Sequence, residues 1–139
     1  GTGNYRISLE AVGLGNERAF VHLRYSYTYG FAGRLAMEMY LSTSGSDKVG
    51  FTVIEGPNDS PPELVGGVRG AIERNTMRYY LAIDAYLGAL ATPAPARFEQ
   101  SLRRWFNATE LYPRQLREID RDSYFAMKRS EYLRQQTAQ

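Results

Sequence analysis

Residues 18–29 read RAFVHLRYSYTY, and this stretch decides the fold because its side chains alternate in polarity. Val21, Leu23 and Tyr25 are apolar or aromatic, whereas His22 and Arg24 between them are polar. Alternation with a period of two is typical of a β-strand with one buried face, since successive side chains of a strand point to opposite faces. The sequence therefore predicts a half-buried strand over residues 18–29.

The same alternation continues on both sides of this stretch. The apolar positions before it are Tyr5, Ile7, Leu9 and Ala11, and those after it are Leu35, Met37, Met39, Leu41, Val49, Phe51 and Val53. Short segments rich in glycine and serine separate the four runs, which is typical of hairpin connections. We therefore predict a four-stranded antiparallel meander over residues 5–55, and its register places Arg24 opposite Glu38.

After residue 55 the pattern becomes helical. Ser60, Pro61 and Glu63 match a capping box with proline at the first helical position, which predicts a helix from about residue 61 to 90. Prolines at 93, 95 and 113 separate two further helices, which reach about residue 137. The expected fold is a single α+β domain over residues 1–139, in which three C-terminal helices pack on one face of the meander.

Composition excludes several classes of protein. The 139 residues are 43% hydrophobic and 23% charged, which is ordinary for one globular domain. The chain has no cysteine and one histidine, which excludes disulfide scaffolds, thiol nucleophiles, zinc fingers and multi-histidine metal sites. We accordingly expect no metal ion and no cofactor.

Charge and hydropathy limit the kinds of partner that the chain is expected to have. The net charge is +2, and acidic residues alternate with the basic ones in the C-terminal helices, which argues against nucleic acid. No apolar run reaches 18 residues, so we expect no transmembrane segment. The chain begins Gly1-Thr2-Gly3 without methionine, and we expect that a signal peptide has been removed from a periplasmic or secreted bacterial protein, with the cytoplasm as the alternative.

Two groups of residues are candidate binding sites. Tyrosine and methionine suit an apolar cavity, because a tyrosine hydroxyl can hydrogen-bond a ligand and methionine adapts to irregular shapes. The ligand-binding candidates are Tyr25, Tyr27, Met37, Met39, Tyr80 and Asp84. A polar cluster on the other sheet face could bind an anion or shuttle a proton, and it comprises His22, Arg24, Glu38 and Tyr40. The alternatives are core packing for the first group and a solvated face for the second.

Asp84 is the one candidate for catalysis. It interrupts the otherwise uncharged run from Tyr79 to Leu87, and a carboxylate desolvated by such neighbours suits a general acid or base. The alternative is a structural carboxylate that is paired with an arginine or a tyrosine, because buried charges are usually paired.

These observations lead to three hypotheses about function. The first is a soluble, non-catalytic binding domain that holds a small apolar ligand or a partner protein. The second is a structural or assembly protein that forms a homodimer through the sheet edge or the last helix. The third, which has the least support, is a carboxylate-dependent enzyme that uses Asp84.

Overall fold

The computed structural model of the chain describes residues 2–55 and 61–137, which form an α+β arrangement as predicted. The strands are β1 (Thr2–Gly15), β2 (Arg18–Tyr29), β3 (Val53–Ile54) and β4 (Glu63–Leu64). The helices are α1 (Phe31–Ser42), α2 (Gly67–Leu87), α3 (Ala94–Thr109), α4 (Pro113–Leu116) and α5 (Arg121–Thr137). None of the described helices is both long enough and apolar enough to cross a membrane.

The chain divides into two compact units. The first unit is Gly1–Tyr80 and the second unit is Leu81–Gln139. Helix α2 contributes residues to both units, because the boundary falls within it.

Strands β1 and β2 pair antiparallel in a long hairpin, which we call the ribbon. The turn between them is made by Asn16 and Glu17, whose φ angles are 51° and 57°. Two consecutive positive φ angles are the mark of a type I′ turn, whose twist matches that of the paired strands. The ladder is regular from Arg6 to Gly13 of β1 and is irregular on either side of that segment.

The third predicted strand is not formed, because residues 31–42 fold as helix α1. Leucine, alanine, methionine and glutamate are all good helix formers, and they fill positions 35–39. The four-stranded meander is therefore not confirmed, and the described strands form two separate two-stranded antiparallel sheets. The predicted pairing of Arg24 with Glu38 is absent as well, because Arg24 lies opposite Ser8 and Glu38 lies on α1.

The fourth predicted strand is reduced to β3, which pairs with β4. Glu63 lies opposite Ile54 in this pairing, so α2 begins at Gly67 rather than at Pro61. Ser60, the expected helix cap, lies outside the described residues.

The N-terminal part of α2 packs closely against the segment before β3. A Cβ atom on Gly70 would lie 2.8 Å from the carbonyl oxygen of Val65 and 3.1 Å from the backbone nitrogen of Gly50. Real side chains do not tolerate such distances to backbone atoms, so this approach requires glycine. The backbone hydrogen bond from Gly50 to Val65 (2.6 Å) extends the β3–β4 pairing at the same place.

In the second unit, aromatic side chains of α3 and α5 form the core. Leu102, Phe106 and Phe125 are buried together, and Trp105 and Tyr124 pack against them. The rings of Phe106 and Phe125 meet edge to face with centroids 5.6 Å apart, and those of Trp105 and Tyr124 stack at 4.8 Å. Both arrangements are favoured by the quadrupoles of aromatic rings.

Candidate functional site

The ribbon has one apolar face, and much of this face is exposed. Its ladder pairs are Ile7 with Tyr25, Leu9 with Leu23 and Ala11 with Val21, and we call these six residues the ribbon face. Ile7 and Leu9 each expose 51% of their surface and Val21 exposes 36%, whereas Leu23 and Tyr25 are half-buried. The alternation that predicted a buried sheet face is present, and on β1 that face is open to solvent.

The opposite face of the ribbon carries the polar candidates His22 and Arg24. Nδ1 of His22 lies 3.5 Å from a carboxylate oxygen of Glu10, and Arg24 lies opposite Ser8 in the ladder. Glu10 was not among the candidates, although its position opposite His22 follows from the hairpin register. This face also holds the exposed ladder pair of Val12 with Phe20, so it is not uniformly polar.

The other two members of the predicted polar cluster lie on α1. Glu38 is exposed, and the hydroxyl of Tyr40 accepts a hydrogen bond from Nη2 of Arg74 (3.1 Å). Arg74 is fully buried, and its Nε and Nη1 atoms have no hydrogen-bond partner among the described residues. Tyr40 therefore hydrogen-bonds a buried arginine and does not belong to the polar cluster that the strand register predicted.

The predicted tyrosine and methionine group is brought together only in part. The ring of Tyr25 lies 5.3 Å from the rings of Tyr27 and Tyr79, where the distances join ring centroids. Met37 is half-buried and Met39 is 62% exposed. Two residues that are two positions apart in a helix point about 200° apart, so Met37 and Met39 do not share the face that a strand would give them.

Tyr80 and Asp84 are both exposed on α2. The uncharged neighbours of Asp84 do not bury it, because a helix distributes consecutive side chains around its axis. Its backbone carbonyl accepts the N–H of Gly88 (2.8 Å) near the end of the helix. The desolvation that made Asp84 a candidate acid or base is thus not found.

Among the described residues of the first unit, Glu73 has the carboxylate with the most hydrogen bonds, and the sequence did not single it out. Its Oε2 accepts the backbone N–H groups of Phe51 (2.8 Å) and Thr52 (2.9 Å). Its Oε1 accepts the Thr52 hydroxyl (2.7 Å) and Nε of Arg69 (3.2 Å). Burial raises the pKa of Glu73, but these four hydrogen bonds together lower it from 4.5 to about 2. All of this bonding capacity is directed at the protein's own backbone and side chains, which is the pattern of a structural carboxylate.

The second unit contains an open cleft of about 610 Å³. It is lined by Phe106, Asn107, Glu110, Arg117, Ile119, Asp120 and Arg121. Glu110 forms an ion pair with Arg117, and the hydrogen bond from Arg117 lowers the pKa of Glu110. Asp120 accepts the backbone N–H of Ser123 (3.0 Å) at the start of α5. Glu110, Arg117 and Asp120 are thus engaged with one another or with a helix end, and the guanidinium of Arg121 lies over the rings of Phe106 and Phe125.

No known family, no curated protein and no solved structure matches this chain.

Proposed function

We propose that this chain is a non-catalytic binding domain that docks a partner protein on the ribbon face. The observation that carries the proposal is the row of exposed aliphatic side chains Ile7, Leu9 and Val21 on one side of a regular hairpin. Contiguous apolar patches are rare on the surface of proteins that act alone, and they mark interaction sites. A two-stranded hairpin is also marginally stable by itself, so a partner that covers its apolar side stabilises it.

The shape of the surface favours a protein over a small molecule. Small-molecule sites are concave and bury most of the ligand, whereas both Ile7 and Leu9 are half exposed on an open strand. A flat apolar face of this kind suits a polypeptide that presents its own apolar side chains. The exposure of Asp84 likewise gives no support to acid–base chemistry at that residue.

The proposal is tested by photo-crosslinking in the cells that produce the protein. The crosslinking amino acid p-benzoylphenylalanine is placed at Val21 on the ribbon face or, as the matched control, at the neighbouring His22 on the opposite face. We expect a discrete adduct with another polypeptide from position 21 and none from position 22. Equal labelling from both positions, or no adduct from position 21, would contradict docking on this face.

A second change within the same face gives a quantitative prediction. Leu9→Asn is expected to lower the yield of the Val21 adduct about tenfold or more, because burying a leucine side chain contributes about 1.5–3 kcal/mol. The fold should be unaffected, since Leu9 is half exposed. The measurement is the adduct yield by mass spectrometry, with Leu111→Asn as the control, because it is the same substitution at a leucine that is 75% exposed in the second unit.

A further inference from the structure

The outer edge of β1 is open. Among the described residues β1 pairs with β2 alone, and every described side chain from Arg6 to Gly15 is exposed. Proteins protect such edges with proline, charged side chains, β-bulges or a covering element, because an unpaired edge is a template for a further strand. Residues 2–15 contain neither proline nor lysine, and the ladder has no register shift between Arg6 and Gly13. This regular part of the edge can accept another β-strand whose charges complement those of β1.

The charges of β1 specify which strand fits. Arg6 and Glu10 are the only charged residues of β1, they lie on the same face, and Ser8 lies midway between them. A two-fold antiparallel pairing of β1 with its own copy, centred on Ser8, places Arg6 opposite the partner's Glu10 and Glu10 opposite the partner's Arg6. It also places Ile7 opposite the partner's Leu9, so the apolar faces of both ribbons lie on one side.

Other pairings of β1 with itself are less favourable. A two-fold pairing that keeps the apolar side chains on one side must be centred on a residue, since a shift of one position mixes the two faces. Centring on Arg6 or on Glu10 opposes like charges, which destabilises a sheet. Centring on Ile7 or on Leu9 gives neither charge an opposite partner. The pairing centred on Ser8 alone matches charge with charge.

The outer edge of β2 lacks this property. It has the basic side chains Arg18, His22 and Arg24 and no acidic residue, so no pairing of β2 with its own copy brings opposite charges together. The self-complementary pattern is therefore a feature of β1, and the occupant that it selects is a second copy of the chain.

We propose that two copies of this chain pair along β1, with Ser8 facing the partner's Ser8, and thereby form a four-stranded antiparallel sheet. This edge is distinct from the ribbon face, so the proposal goes beyond the docking of a partner protein. Glu10 would then lie between Arg6 of the other copy and its own His22, which is already 3.5 Å away. The pairing supplies four strands from two chains, and a stable sheet with one apolar face requires three or more.

Pairing also enlarges the docking surface. The two strands of the regular eight-residue ladder present about 260 Å² on one side, given a rise of about 3.4 Å and a strand spacing of about 4.8 Å. Pairing therefore doubles the area of the apolar side to about 520 Å².

The register is tested by disulfide crosslinking, for which the absence of cysteine from the natural chain is an advantage. We expect Ser8→Cys to form a disulfide-linked dimer on mild oxidation, because residue 8 faces itself in the proposed pairing. Val12→Cys is the matched control, since Val12 lies on the same face of the same strand and is also exposed. Its two copies would be about 27 Å apart, too far for a disulfide.

The charge pairing is tested by sedimentation equilibrium of the full chain, which also covers the case in which the geometry at position 8 prevents a disulfide. We expect the wild type to dimerise and Arg6→Glu to raise the dissociation constant at least about tenfold, because two attractive pairs become repulsive. Arg6→Glu with Glu10→Arg should restore dimerisation, since the swapped charges again match.

Two results would overturn the proposal. One is a wild type that remains monomeric at all concentrations, and the other is a dimer that the charge reversal does not weaken. Neither result would contradict docking at the ribbon face, because the Val21 adduct with a partner protein does not depend on the β1 edge. Conversely, a Ser8-centred dimer without that adduct would refute the docking proposal alone.

Discussion

The variant Glu73→Gln is expected to lower the free energy of unfolding by about 2–3 kcal/mol at pH 7. The Glu73 carboxylate accepts four hydrogen bonds, two of them from the backbone N–H groups of Phe51 and Thr52. A glutamine keeps one acceptor oxygen and turns an NH₂ group towards donors that need an acceptor. The change therefore removes a charge-assisted interaction and leaves partly buried donors unsatisfied, while the side-chain volume is unchanged.

The effect should depend on pH in a defined direction. The pKa of Glu73 is about 2 in the folded protein and 4.5 for an ordinary glutamate. A lowered pKa means that the stabilisation is fully present above about pH 4.5 and is lost as the pH falls towards 2. The difference in unfolding free energy between wild type and Glu73→Gln should therefore shrink as the pH is lowered from 7 to 3.

Urea unfolding followed by circular dichroism at the two pH values measures this difference. Glu63→Gln is the matched control, because it removes the same charge from an exposed glutamate on β4. We expect this control to change the unfolding free energy by less than about 0.5 kcal/mol. A loss for Glu73→Gln that is equally large at pH 3 and pH 7 would show that the ionised carboxylate is not the source of the stabilisation.

Alternating polarity correctly predicted the two strands of the ribbon. The same alternation over residues 35–41 also predicted a strand, but that prediction was wrong. Residues 18–29 carry the pattern over 12 positions, with β-branched or aromatic side chains at many of them. The segment around Met37 and Met39 shows the same period over only four apolar positions, and it is filled with residues that favour helices. In this segment the two-residue period favours a strand and the residue types favour a helix, and the chain forms helix α1.

The sequence did not reveal the role of Glu73 or the exposure of Asp84, because both depend on how distant segments pack in the folded chain. Glu73 contacts backbone groups 21 and 22 positions earlier, and no local pattern records such a contact. Asp84 was expected to be buried because its sequence neighbours are uncharged, but those neighbours point in different directions around α2. The ribbon face was identified correctly as an apolar row, whereas its exposure depends on which element packs against it.

In the second unit, Phe125→Ala is expected to lower the free energy of unfolding by about 3–4 kcal/mol, the largest effect of any substitution considered for this unit. Phe125 is 5% exposed and meets the ring of Phe106 edge to face. The guanidinium groups of Arg121 and Arg129 lie over its ring at 5.2 Å and 5.4 Å from the centroid. Truncation to alanine removes the buried ring, leaves a cavity between α3 and α5, and ends both cation–π contacts.

Fluorescence of Trp105 during denaturant unfolding measures this loss, because Trp105 is the chain's one tryptophan and stacks on Tyr124 within the same core. Leu111→Ala is the control, since Leu111 is 75% exposed in the same unit and should cost less than about 0.5 kcal/mol. Phe125→Leu should fall between the two, because leucine fills part of the cavity but cannot make ring contacts. If Phe125→Ala and Leu111→Ala had equal effects, the aromatic contacts between α3 and α5 would not be what holds this unit together.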